Sequence, residues 1–351
     1  MDLANALALQ SGGSVEHFFH PQSEPSKVPD RPTFENLTQG FQLFDSSGQW
    51  VASFVDDLTL QADFRKQTPS QPGWYRIIAD ESRLLRLVIR HCDPTSPVDM
   101  VLDPLADLFG TKVLPHESGM YRVVDDSGAS VAICAPLPGE RERPCEIVTA
   151  PITSGHHHKL SQLLDEAIAQ DFAIAAEGAT HIHFDASPLC SAPTIAKLVS
   201  IFEKFSAELK SLIEVNRQCV RLGAWPDALR DATGSKKFQA LNWPEAKQVL
   251  SKLELSKFCD FNLLNIATGN EQKHTFEIRI LPSMMDSNRI VEAAALFEGL
   301  LGWCIDPTTS PVRIPTSLCL LLDNAPVTQT MKKHWQRKIA IKNGITTVPE
   351  I

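Results

Sequence analysis

Two short segments carry charged and imidazole side chains at a spacing of two residues. The first spans residues 180–185 and has the sequence THIHFD. On a β-strand, residues two apart share a face, so His181, His183 and Asp185 are predicted to project together. Two imidazoles and a carboxylate can bind a divalent metal or contact phosphate and carboxylate groups. The alternative is a strand that exposes these polar groups to solvent.

The second segment spans residues 275–282 and has the sequence TFEIRILP. On a strand, Glu277 and Arg279 share one face, and the apolar side chains between them take the other. A carboxylate for Mg²⁺ beside a guanidinium for a transferring phosphoryl group suits phosphoryl chemistry, and both are candidate catalytic residues. The alternative is a structural ion pair.

Three further sites carry less specific signals. Glu146 begins a short predicted strand after the polar segment 138–144. Arg217 and Arg221 lie four residues apart at the end of a predicted helix, where basic side chains also interact favourably with the helix dipole. The run at 156–158 contains three histidines, but consecutive side chains point in different directions, so we do not expect a metal there.

The elements that must position these residues are short strands and amphipathic helices. The sequence shows no repeated βαβ unit and no glycine-rich phosphate loop, so we predict an α+β fold on a mainly antiparallel sheet. A hairpin is predicted around Asp125–Gly128. The predicted strands are 41–44, 50–54, 58–64, 74–78, 84–89, 121–124, 129–134, 146–149, 181–185 and 276–281, and the predicted helices are 97–109, 159–175, 192–214, 287–300 and 328–342.

Composition shifts divide the chain into four predicted segments. Residues 1–33 are rich in serine, proline and polar side chains and are predicted to be a flexible lead. Residues 34–84 are predicted to be a β-rich elaboration, 85–305 the core domain, and 306–351 a C-terminal extension. The last of these ends in a basic helix, interpreted as a solvated surface helix.

Charge, cysteine usage and hydropathy exclude several protein classes. The 351-residue chain has a formal net charge of −9, which argues against general binding to nucleic acid or an anionic membrane. The eight cysteines are scattered without a CxxC pair, which indicates thiols in a reducing compartment. No apolar run reaches the roughly 20 residues that span a bilayer. The first residues lack the pattern of a signal peptide, so we expect a cytoplasmic protein.

The order of several phrases resembles the bacterial amidoligases of glutamine-synthetase-like fold, from about residue 85 to 303. Each phrase is weak alone, and the shared order carries the resemblance. The phrases are VLDPLADLFG at 101–110, YRV at 121–123, EIVTAP at 146–151, a helix at 160–175, HIHFD at 181–185, Arg217 after a long helix, DFNLLN at 260–265 and Thr-x-Glu-x-Arg at 275–279.

This resemblance implies an antiparallel sheet lining a funnel-shaped site for ATP and Mg²⁺. In such ligases, ATP phosphorylates a substrate carboxylate and an amine attacks the acyl phosphate. By resemblance, Glu146, His183 and Glu277 would lie on the metal side, Arg279 would bind phosphate, and His181 and Arg217 would face nucleotide or substrate. The expected partners are a small-molecule or peptide carboxylate and an amine, whose identities stay open together with the oligomeric state.

The chain also departs from the family pattern. Family members have Glu-x-Glu on the first core strand, where residues 87–92 here are LVIRHC, and 129–135 lacks an expected acidic residue. A second hypothesis is therefore a catalytically degenerate, amidoligase-like binding or interaction protein. A third is a metal-dependent hydrolase that uses His181, His183 and Glu146.

Overall fold

The computed structural model describes residues 1–25, 33–56, 73–137, 145–219, 222–269 and 273–344. The chain divides into an N-terminal unit, Met1–Ala175, and a C-terminal unit, Ala176–Ile351. This division differs from the predicted segments, whose boundaries were residues 33, 84 and 305. The predicted strand at 58–64, together with Asp57 and Arg221, lies outside the described residues.

The N-terminal unit is built on an antiparallel sheet of eight strands. Seven strands run in the order β5-β6-β7-β4-β2-β3-β8, and β1 pairs with β2 off this path. The strands are β1 Ser14–Pro25, β2 Thr33–Phe44, β3 Trp50–Asp56, β4 Tyr75–Ala79, β5 Val113–Pro115, β6 Tyr121–Val124, β7 Ser130–Pro136 and β8 Cys145–Thr149. The predicted hairpin is confirmed as β6 and β7, and the described part of 34–84 contains β3, β4 and most of β2.

In the described part of this unit the α-helices are α1 Asp2–Ser11, α2 Ser82–His91, α3 Asp103–Leu108 and α4 His156–Ala169. Leu37 and Ile77 of the sheet pack with Leu85 and Val88 of α2 in one buried cluster. The three histidines at 156–158, which precede the predicted helix at 159–175, form the first turn of α4. Of the predicted helix at 97–109, only the α3 segment is α-helical.

The predicted flexible lead at 1–33 is wrong for residues 2–25. Helix α1 buries Leu3 and Leu7, whose spacing of four places them on one face. Strand β1 pairs with β2 along its whole length, from Ser14 opposite Phe44 to Pro25 opposite Thr33. The polar composition of β1 gives no indication of a strand in the sequence. The strand is stabilised by backbone hydrogen bonds to β2, about twenty residues away in the chain.

The predicted strand at 84–89 is also wrong, because this segment belongs to helix α2. Leu85 and Val88, three residues apart, are buried, whereas Ile89 is 45% exposed. A short apolar run fits a strand or a helix equally well until its partner surface is known. In a helix, residues two apart do not share a face, so residues 87–92 cannot be compared with an acidic Glu-x-Glu strand.

The C-terminal unit contains a three-stranded antiparallel sheet in the order β10-β11-β9. Its strands are β9 Ala179–Asp185, β10 Phe261–Asn262 and β11 Thr275–Pro282. Its helices are α5 Ala192–Lys204, α6 Ser206–Leu212, α7 Asp227–Gly234, α8 Lys236–Gln239, α9 Trp243–Leu250, α10 Leu264–Thr268, α11 Ser287–Ile305, α12 Leu318–Asn324 and α13 Gln329–Lys342.

One apolar core joins this sheet to its helices. The Phe202 ring of α5 lies 4.7 Å from Phe261 of β10, 5.5 Å from Phe276 of β11 and 6.2 Å from Phe297 of α11, measured between ring centroids. The predicted strands at 181–185 and 276–281 and the predicted helices at 287–300 and 328–342 are confirmed. The predicted helix at 192–214 is interrupted at Phe205, whose backbone leaves helical geometry and whose side chain is buried.

The α+β class with antiparallel sheets is therefore confirmed. All eight cysteines lie in the described part of the chain, and each is a free thiol. Among the described helices, none combines the length and apolar character needed to cross a membrane.

Candidate functional site

The register of the three-stranded sheet brings its polar residues into one row. Glu277 of β11 lies opposite His183 of β9 on one side and opposite Asn262 of β10 on the other. The neighbouring Phe276 and Ile278 point to the opposite face and are fully buried in the core. Alternation along β9 and β11 adds His181 and Arg279 to this row. These five residues (His181, His183, Asn262, Glu277 and Arg279) are called the polar face below.

Glu277 is the centre of the polar face and is only 5% exposed. Its Oε1 accepts a hydrogen bond from Arg279 Nη1 at 2.6 Å and lies 3.2 Å from His181 Nδ1. Its Oε2 accepts a 2.7 Å bond from Asn262 Nδ2, and His183 Nε2 lies 3.7 Å from Oε1. Protein groups thus contact both carboxylate oxygens.

The protonation state of Glu277 follows from a competition between burial and its neighbours. Burial raises the pKa of the carboxyl, because a charge is costly in a low-dielectric environment. The hydrogen bond from His181 and the charges of Arg279 and the two histidines lower it by more. The net effect holds the pKa of Glu277 well below its usual range, so the side chain is an anion at neutral pH.

His183 is shifted toward its neutral form. Partial burial of the ring, whose side chain is 43% exposed, is the largest cause and lowers the pKa of the imidazole, and the charges of His181, Lys273 and Arg279 lower it further. Glu277 opposes these effects without reversing them. The ring is also held by a 2.9 Å contact between Nδ1 and Thr275 Oγ1. A neutral imidazole on this face can accept a proton.

Arg279 is anchored at the point where the ladder between β11 and β9 shifts register. The shift lies between Ile278 and Leu281, and the Arg279 backbone N–H donates to the Asp260 carbonyl at 3.0 Å. The guanidinium Nε is buried and has no hydrogen-bond partner among the described residues. An unpaired N–H on a guanidinium is a suitable donor for a phosphate or carboxylate oxygen.

The other predicted site residues lie outside the polar face. Asp185 accepts hydrogen bonds from the Ser187 backbone N–H and hydroxyl at 3.0 and 2.8 Å, so its carboxylate stabilises a turn. Arg217 is exposed in the turn after α6 and makes no hydrogen bond or ion pair with the polar face within the described residues. Glu146 is an exposed residue of β8 in the N-terminal unit, opposite Val55 of β3.

The donor set of the polar face does not match a protein-held Mg²⁺ centre. Mg²⁺ takes hard oxygen ligands, usually one or two carboxylates with waters and substrate phosphates. Glu277 is the single carboxylate among the five residues, and a guanidinium occupies its Oε1. Across the described part of the chain, no group of three or more His, Cys, Asp or Glu side chains is placed to hold a metal ion.

Asn262 lies in the phrase DFNLLN, but the sequence alone assigns it no functional role. Its Oδ1 accepts from the Leu264 backbone N–H at 2.8 Å, which turns its amide nitrogen toward Glu277. The residue is 3% exposed. The signal available in the sequence was an amide inside an apolar run, because a buried polar group needs a specific partner.

The comparison with protein families covers this site. The family described as "putative amidoligase enzyme" matches residues 31–301, which is most of the chain. The chain belongs to this amidoligase family. No curated protein and no solved structure matches it.

The matched residues cover more of the amidoligase chain than the predicted core at 85–305. The segment 34–84, interpreted as an elaboration outside the core, lies within the matched residues, as do all five residues of the polar face. Helices α12 and α13 lie beyond residue 301 and outside the match. Membership of the amidoligase family supports a ligase-like function in general.

Proposed function

We propose that this amidoligase is an ATP-dependent carboxylate–amine ligase that forms an amide through an acyl phosphate. The observation that carries the proposal is the ionised Glu277 held by Arg279 on a face that also presents two imidazoles. Such a face can bind the anionic groups that both half-reactions use. The substrates we propose are a small-molecule or peptide carboxylate and an amine, and we propose the cytoplasm, where ATP is available, as the location.

The reaction has two balanced steps. A carboxylate oxygen of the first substrate attacks the γ-phosphorus of ATP, and the bond from that phosphorus to the bridging oxygen breaks to release ADP. The amine nitrogen then attacks the acyl carbon, inorganic phosphate leaves, and the ammonium intermediate loses a proton. Negative charge gathers on phosphate oxygens in both steps, so a fixed cation nearby lowers the barrier.

The residues of the polar face have distinct proposed roles. Arg279 binds phosphate oxygens through its remaining N–H groups, and Glu277 orients that guanidinium. Neutral His183 accepts the proton from the attacking amine, since its lowered pKa keeps it unprotonated at physiological pH. His181 and Arg217 remain proposed contacts for nucleotide or substrate, and Glu146 a proposed metal-side residue.

We propose that Mg²⁺ enters with ATP, as the counter-ion of its phosphates. Bound in that way, Mg²⁺ supplies charge neutralisation for the phosphoryl group. The carboxylate shortage on the polar face favours this arrangement over a metal bound in advance by the protein.

The experiment has a binding arm and a turnover arm. Thermal unfolding is measured with and without ATP and Mg²⁺, because a ligand of the folded state stabilises it by about 2.7 kcal/mol at one hundred times its dissociation constant. We expect this stabilisation in the native protein and its loss in Arg279→Lys, which keeps the charge but not the guanidinium fork. The matched control is Arg230→Lys, at an exposed ion pair with Glu203.

The turnover arm measures ADP release against panels of carboxylates and amines, with hydroxylamine included to trap an acyl phosphate as a hydroxamate. We expect release that requires both substrates and falls at least tenfold in Arg279→Lys. Stabilisation by ATP without any amide or hydroxamate would contradict the ligase proposal. It would favour the catalytically degenerate binding protein, for which the engagement of both Glu277 oxygens by protein groups is the supporting observation.

A further inference from the structure

A concave site lies in the C-terminal unit, where the end of α6, the end of β11, α11 and α13 meet. The cleft has a volume of about 350 Å³. This lies within the range of roughly 300–1,000 Å³ typical of small-molecule sites. The residues that line it include none of the polar face, so the cleft is a separate site of the same unit.

The inner surface of the cleft is apolar. It is formed by Leu212 of α6, Leu281 at the end of β11, Met284, Ala293 of α11 and Trp335 of α13. All five are at most 9% exposed. Such a surface favours a hydrocarbon or aromatic group over a fully polar ligand, because burying that group releases its hydration water.

The charged residues around the cleft do not balance. Glu214 is paired with Lys342 at 3.1 Å, and Glu292 lies 3.3 Å from His334. Arg289 and Lys338 also line the cleft. Within the described residues neither has an ion-pair partner. Three of the charged residues that line the cleft are cations (Arg289, Lys338 and Lys342) and two are anions (Glu214 and Glu292), so the rim carries an excess of one positive charge above an apolar surface.

Two details of α13 favour binding of an anion. The Lys338 ammonium lies 4.6 Å from the centroid of the Trp335 ring, so a cation–π contact holds the charge over the cleft. The Trp335 indole N–H is buried and has no hydrogen-bond partner among the described residues. A buried donor without a partner is costly, and an oxygen acceptor on a ligand would remove that cost.

Some residues that line the cleft lie within the part of the chain that matches the family, and others lie beyond it. Leu212, Leu281 and Arg289 lie within the matched residues 31–301, whereas Trp335 and Lys338 lie beyond them. Helix α13, which the sequence presented as a solvated basic helix, thus buries an indole and supplies one wall of a concave site. Membership of the amidoligase family does not by itself account for this wall.

We propose that the cleft binds a small carboxylate with an apolar body, such as an aryl or alkyl carboxylic acid. The apolar body lies on the surface formed by Leu281, Met284 and Trp335, and the carboxylate is bound by Arg289 and Lys338. This site is independent of the proposed ligase reaction, and its test requires no turnover.

The test uses a matched pair of ligands, indole-3-acetate and indole-3-acetamide, which differ in charge and hardly in shape. Octanoate is included as an aliphatic carboxylate. Binding is measured by calorimetry and by the indole N–H resonances in nitrogen-15 spectra, with the Trp335 signal assigned from Trp335→Phe. We expect the carboxylates to shift the Trp335 signal and the amide to bind at least tenfold more weakly.

Variants of the two cations complete the test. Arg289→Gln and Lys338→Met should each weaken carboxylate binding at least fivefold. Arg337→Gln is the matched control, since Arg337 adjoins Lys338 on the same helix, is exposed and does not line the cleft. The proposal fails if neither carboxylate shifts the Trp335 signal, if the amide binds as tightly as the acid, or if the cation variants bind like the control.

Discussion

The polar face and the cleft, both in the C-terminal unit, differ in how their charged side chains are paired. On the polar face, Glu277 and Arg279 are buried and contact each other at 2.6 Å, and Asn262 completes the hydrogen bonding of the carboxylate. Around the cleft, Arg289 and Lys338 lie beside an apolar surface with no paired anion in the described residues. The charged groups of the polar face pair with each other, whereas the two cations of the cleft make no ion pair with a described residue.

The difference follows from exposure. A charge removed from water needs an opposite charge and hydrogen bonds in the same place, or folding becomes too costly. A partly exposed cation keeps enough water to remain unpaired. The polar face is therefore a preorganised part of the fold, whereas the rim of the cleft contributes little to folding and can be used for binding.

The largest expected effect comes from breaking the pair on the polar face. Glu277→Ala leaves Arg279 buried without its anion, and loss of one partner of a buried pair costs about 3–5 kcal/mol of unfolding free energy. Denaturant unfolding monitored by circular dichroism measures the change. Glu203→Ala is the control, because the pair of Glu203 with Arg230 is exposed, and pairs of that kind contribute at most about 1 kcal/mol. Equal losses in the two variants would contradict the distinction drawn above.

A smaller change in unfolding free energy is expected when the pH is lowered. The pKa of Glu277 is lowered well below its ordinary value of 4.5, so the folded protein keeps this carboxylate charged after the unfolded chain has taken up a proton. The unfolded state then binds more protons, and the stability contributed by Glu277, fully present above pH 4.5, is lost as pH falls further. The loss is about 1.4 kcal/mol per pH unit.

The measurement is unfolding free energy between pH 6 and pH 3.5 in the native protein and in Glu277→Gln. Other carboxylates titrate equally in both, so the difference between the two curves reports Glu277 together with the two imidazoles that contact it. The two curves should converge below pH 4.5. Parallel curves would mean that Glu277 has an ordinary pKa and that the polar face is not preorganised.

The smallest effect is expected at the cleft. Arg289→Gln should change the unfolding free energy by no more than about 0.5 kcal/mol, since the side chain is exposed and makes no ion pair with a described residue. Lys338→Met should change it by no more than about 1 kcal/mol, since it loses only the cation–π contact with Trp335. The same denaturant measurement applies, without added ligand. A loss above 1 kcal/mol in either variant would show that the cation is already used for folding, and the contrast with the polar face would disappear.

Alternation along single strands was sufficient to predict much of the candidate site. His181 and His183 on one segment, and Glu277 and Arg279 on the other, were assigned to common faces before any partner was known, and β9 and β11 are found there. The alternation of side chains between the two faces of a strand is a local property, so it does not depend on which strand lies beside it. The helix that follows β11 was predictable for the same reason, from its own periodicity.

Predictions that depended on a distant partner were the ones that failed. The polar composition of β1 predicts a flexible lead and the short apolar run of α2 predicts a strand, and both predictions are wrong. Neither segment carries enough local information to decide between conformations. The sequence likewise contains Asn262 but does not indicate that it donates a hydrogen bond to Glu277, since fifteen residues separate the two.

The sequence by itself determined the polar and apolar faces of its longer elements, the absence of a glycine-rich phosphate loop, and the order of phrases typical of amidoligases. Only the tertiary structure decided that Glu277 is buried between Arg279 and Asn262, that Glu146 belongs to the N-terminal unit, and that α13 lines a cleft. Local periodicity is set by backbone geometry within a few residues. Pairing, burial and charge balance depend on residues that are far apart in the chain and meet only in the folded protein.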